Sequence, residues 1–151
     1  MDMKKTSIVW FTKYLLDFMF YTGIAVCAGV PWLFQIAGKY FTAFRKFYVS
    51  YCVIFIFAGV FALIILWNLR KMFGSVIHEK PFVRDNVIAL KRMGICAFVI
   101  AALMVIRLFL VITPAAFVLV AVFLIAGLFS MVLSQVFDQA VAYKQENDLT
   151  I

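Results

Sequence analysis

Polar and apolar positions alternate in this chain on the scale of whole segments rather than single residues. Apolar runs cover 14–36, 48–69, 93–112 and 115–137. At 1.5 Å per helical residue, each is long enough to cross a hydrocarbon layer of about 30 Å. The pattern predicts four transmembrane helices in a single domain over 1–151. They form an antiparallel bundle of two hairpins, with a polar interval at 70–92 between the hairpins and a tail at 138–151.

Within the first run, Gly23 with Cys27 and Ala25 with Gly29 have the small-xxx-small spacing that allows helices to approach closely. Ala58 and Ala62 repeat it in the second. Pro31 and Trp32 are expected to mark the outer end of the first span, and Trp32 and Tyr40 suit an interfacial belt. Thr113 and Pro114 predict a tight turn before the fourth span.

The central interval is amphipathic at its start. Leu69, Met72, Phe73, Val76 and Ile77 fall at helical spacing, with Arg70, Lys71, Ser75 and His78 on other faces, so the second helix is expected to continue past the apolar run. Pro81 interrupts it and holds Lys80 extended. A new helix is expected near Arg84, with Asp85 favourably placed in its first turn. The fourth helix is expected to continue to Glu146, so that about 18 Å of it leaves the hydrocarbon. There Leu133, Val136, Phe137, Ala140 and Val141 make an apolar stripe that the central interval, a second copy or another protein must cover.

Composition agrees. The chain is 67% hydrophobic and 14% charged, with a mean hydropathy of +1.09; a water-soluble domain carries about 25% charge. Charge also orients it. Ten of the fourteen basic residues lie on the N-terminal segment, the central interval and the tail, whereas Lys39, Arg45, Lys46 and Arg107 fall on the other side. Short basic loops stay in the cytoplasm, so both termini are expected on the cytoplasmic side of the membrane. The net charge of +7 suits anionic lipid headgroups; the basic residues sit at span ends and make no nucleic-acid surface. Asp17 is one turn from Lys13, and Asp17 and Asp138 lie where Arg70, Lys71 or Arg84 can neutralise them. Arg107 is expected to anchor at the outer interface.

Candidate chemistry is sparse. Cys27, Cys52 and Cys96 lack ligand spacing and lie in apolar runs, which argues against a disulfide framework or metal site. His78 has no second ligand or matched nucleophile. Nucleotide-binding, nucleophile-elbow and zinc-protease motifs do not occur. The reading is a protein that is not an enzyme and binds no cofactor.

Pro81, Phe82, Asn86, Leu90 and Gly94, followed by Val136, Phe137 and the ending Lys144, Glu146, Asn147, Asp148, Leu149, Thr150 and Ile151, resemble the bacterial four-span family called domain of unknown function 2975 (DUF2975). Val83 departs from the resemblance, standing where members often carry a hydroxyl residue that caps the next helix. The family brings no established activity. Its members are often encoded beside Xre-type helix-turn-helix repressors, which implies a membrane protein that holds or releases a DNA-binding partner. The expected docking surface consists of Arg70, Lys71, Pro81, Phe82, Arg84, Asn86, Phe137, Glu146, Asp148, Leu149, Thr150 and Ile151. The competing expectations are a small transporter or export subunit, either alone or as a homo-oligomer, and a membrane-stress or immunity protein acting on lipid.

Overall fold

A computed structural model describes residues 3–78 and 80–150. It contains α1 (Met3–Tyr40), α2 (Thr42–Lys46), α3 (Tyr48–Ile77), α4 (Arg84–Leu110) and α5 (Pro114–Thr150). All but α2 are long and apolar enough to cross a membrane. Their outward faces fit that medium: Phe109 is 86% exposed and Ile112 77%, which water would penalise and lipid does not. The chain is a multi-pass membrane protein.

The helices outrun the apolar runs. α1 takes in most of the basic N-terminal segment and passes straight through Pro31 to Tyr40, so Pro31 and Trp32 do not end it. Pro31 removes one donor from the ladder but ends no helix here. Its carbonyl is engaged from outside, accepting the Tyr48 hydroxyl at 2.9 Å. The connection between the first two spans is itself partly helical, as α2. On the other side, α3 continues to Ile77 as the amphipathic spacing predicts, and α4 begins at Arg84. Val83 is extended and caps nothing with its side chain. The non-helical part of the 70–92 interval therefore shrinks to a short elbow. At the other end, Thr113 accepts the Ala116 N–H on its carbonyl at 3.2 Å, and Pro114 occupies the first helical position, where its missing N–H costs little.

Packing follows chain order: α1 lies on α3, α3 on α4 and α4 on α5, while α1 approaches neither α4 nor α5 among the described residues. Contacts between α1 and α3 join Asp17 to Arg70, Phe20 to Trp67, and Cys27 to Gly59. Those between α4 and α5 join Val87 to Ser134, Leu90 to Ser130, and Gly94 to Met131. The core is Ile54 and Ala58 of α3 with Ile100 and Met104 of α4, flanked by Leu119 and Phe123. A groove of about 330 Å³, lined by apolar side chains of all four long helices, opens between α1 and α5.

Of the small-residue pairs, Gly23 and Cys27 do face α3, against Leu63 and Gly59. Ala25 is exposed, and Gly29 has open space beside it, so that pair packs on nothing among the described residues. Spacing identifies a face that permits close approach; it does not say which face the neighbour uses.

Candidate docking surface

The elbow folds because Asn86 holds it. Its Nδ2 donates to the Pro81 carbonyl at 2.6 Å, its Oδ1 accepts from Ser75 Oγ at 3.5 Å, and the side chain is buried. Proline cannot donate but can accept, so one amide bridges the end of α3, the turn and the start of α4.

With the turn fixed, Phe82 and Arg84 project onto α5. The Phe82 ring meets Phe137 edge-on at 5.3 Å between centroids. Arg84 forms an ion pair with Asp138. Both charged side chains are half exposed, so the pair contributes at most about 1 kcal/mol, comparable with the 0.5–1.5 kcal/mol of the aromatic contact. Next to them, Val141, Lys144, Gln145 and Asp148 share one face of α5 and, with Phe82, Val83 and Arg84, line a cleft of about 230 Å³. Val141 is 4% exposed. Of the alternatives for covering the apolar stripe, the elbow takes Phe137 and Val141, while Val136 stays half exposed.

Phe82, Arg84, Phe137 and Asp148 thus come together, with Pro81 and Asn86 immediately behind. Glu146 and Leu149 are exposed further along α5. Ile151 lies outside the described residues, and Thr150 is described only in its helical backbone. Val141, Lys144 and Gln145 complete the cleft without having been singled out for it; the spacing 141, 144, 145, 148 is the signal that marks their common face.

Arg70 and Lys71 are held elsewhere. Arg70 Nε donates to Asp17 Oδ1 at 2.6 Å, and its guanidinium lies 4.9 Å from the Phe20 ring and 5.5 Å from that of Trp67. Lys71 stands 5.8 Å from the Trp67 ring. Asp17 therefore pairs across the α1–α3 contact and not with Lys13, whose ammonium lies over Trp10 at 5.1 Å. Guanidinium geometry suits a carboxylate better than a lysine along the same helix. At the far end of α4, Arg107 packs over Tyr51 and Phe55 and donates to Thr113 Oγ1 at 3.1 Å.

The pattern that defines the family described as "Protein of unknown function (DUF2975)" matches residues 32–151. Among curated proteins and among solved structures, none matches the chain.

Proposed function

The chain belongs to the DUF2975 family, and from that premise we propose that it is a non-enzymatic protein of the bacterial inner membrane whose elbow and C-terminal helix form one cytoplasmic docking surface. In this reading the four spans are two antiparallel hairpins with both termini in the cytoplasm, and α5 carries its polar end out of the bilayer. The distribution of basic residues supports that orientation. The length of α5 supports the projection: 37 residues make about 55 Å of helix, some 25 Å more than a hydrocarbon core.

The observation that carries the proposal is the paired contact of Phe82 with Phe137 and Arg84 with Asp138. It ties two segments far apart in sequence into one face and leaves a cleft of mixed charge beside exposed Leu149. The partner we propose is a helix-turn-helix regulator of the Xre type, held at the membrane and released from it. The groove shared by all four helices is apolar, which suits lipid better than the passage of a polar solute and so favours docking over transport.

The test is co-purification of the full-length protein with an Xre-type helix-turn-helix regulator from the same cell, compared with an Asp148→Lys, Leu149→Asp double variant. Both side chains are exposed, so the fold is retained. Loss of the regulator from the variant at unchanged membrane level supports the proposal; equal recovery from both proteins overturns it.

A further inference from the structure

A second cavity, of about 420 Å³, lies between α3 and α4 at the elbow end. Asn68, Lys71, Ser75, Asp85, Asn86 and Arg92 contribute its polar lining. It falls where the apolar run of α3 stops, one residue after Trp67, and so at the depth of lipid headgroups.

Asn68 and Asn86 are each 3% exposed. A buried amide is costly unless its donors and acceptor are satisfied. Asn86 is bonded through both its nitrogen and its oxygen. Asn68 differs: its Nδ2 donates to the Ile64 carbonyl at 2.8 Å, and its oxygen accepts no hydrogen bond from any described residue. The Asn68 side chain, with its oxygen free of protein donors among the described residues, therefore lines a cavity that also presents two cations and one carboxylate.

We propose that this cavity binds the phosphodiester headgroup of an anionic phospholipid, with a glycerol-type head. Lys71 and Arg92 against Asp85 leave a net charge of one positive unit, which matches the single negative charge of a phosphodiester. The phosphate meets the two cations, and the head hydroxyls donate to the Asn68 oxygen and to Asp85. A site of this volume lies in the range of small-ligand pockets. The inference rests on the membrane placement and is independent of the docking proposal.

The full-length protein in detergent is titrated with phosphatidylglycerol and, separately, with phosphatidylcholine, and bound lipid is read by native mass spectrometry. Phosphatidylglycerol is expected to bind at least about tenfold more tightly, since each basic residue near an anionic head is worth about fivefold. Lys71→Gln with Arg92→Gln is expected to abolish that preference. Lys80→Gln with Lys91→Gln removes the same charge outside the cavity and is expected to leave it within about twofold. Equal loss in both double variants, or equal binding of the two lipids, overturns the site. A parallel arm uses soluble glycerophosphoglycerol: thermal stabilisation of the wild type but not of the Lys71/Arg92 variant, with no binding of phosphatidylglycerol, would keep the phosphodiester chemistry and overturn its assignment to the bilayer.

Discussion

Arg70 and Asp17, 53 positions apart in the sequence, are joined by a 2.6 Å charge-assisted hydrogen bond that fastens α3 to α1. Each side chain is about one quarter exposed, against about one half for Arg84 and Asp138. Partial desolvation strengthens the first pair, and water screens the second.

A double-mutant cycle with Asp17→Asn and Arg70→Gln is therefore expected to give a coupling of about 1–2 kcal/mol. The same cycle on Asp138 and Arg84 is expected to give less than about 1 kcal/mol. Thermal or denaturant unfolding in detergent measures both, and a larger coupling for the second pair would contradict the ranking.

Gly94 and Gly74 make a second contrast. A methyl group at Gly94 would lie 2.8 Å from Met131 Sδ and 3.2 Å from the Gly127 carbonyl, whereas at Gly74 it would meet nothing within 4 Å. Met131 can move but the backbone of α5 cannot move cheaply, so Gly94→Ala is expected to destabilise by about 1–3 kcal/mol. Gly74→Ala is expected to stabilise by up to about 1 kcal/mol through helix propensity. Melting temperatures of the two variants should move in opposite directions.

Ser130 and Ser134 are buried between α4 and α5, donating to the carbonyls of Leu90 at 2.6 Å and Val87 at 3.1 Å. Those carbonyls lie inside α4, so removing the hydroxyl strands no acceptor. Ser→Ala at either position is expected to cost only about 0.6 kcal/mol, whereas Ser134→Leu overfills the contact and is expected to cost about 1–3 kcal/mol. Unfolding of the three variants side by side checks the order.

Asn86→Leu removes the bridge to Pro81 and Ser75 while keeping the branched shape of the side chain. It is expected to free the elbow, so that hydrogen exchange around Phe82–Arg84 rises and the C-terminal end of α5 becomes easier to cleave. Phe82→Ala is expected to expose α5 to protease without changing the elbow. Equal protection in the wild type and Asn86→Leu would contradict the role given to this amide.

Much of this was legible from the residues. Hydropathy alone set the number of long helices, and Pro81 placed the break so that α4 starts at Arg84. Asp17 and Asp138 were visible as charges needing cations; that Arg70 and Arg84 supply them depends on which helices are neighbours, and hydropathy holds no such information. The order of packing was hidden for the same reason, since every face of these helices is greasy enough for either lipid or protein. The N-terminal extension of α1 and the helix at Thr42–Lys46 were missed because basic residues beside an apolar run read as interfacial loop, although Lys and Arg also form helix readily. In the candidate surface, Phe82 and Phe137 were chosen by resemblance and meet in space, beside Arg84, which was chosen as a cation. Arg70 and Lys71 were chosen for their charge and belong to the α1–α3 contact and the neighbouring cavity.

Because α1, among the described residues, touches the remainder of the protein only through α3 and the short helix after it, the molecule is tethered link by link rather than knitted all round. Drawn out of a bilayer by its N-terminus on a cantilever, it should surrender the first span at low force while the tightly seated α4–α5 pair stays anchored, and the force trace should record that as a separate early peak.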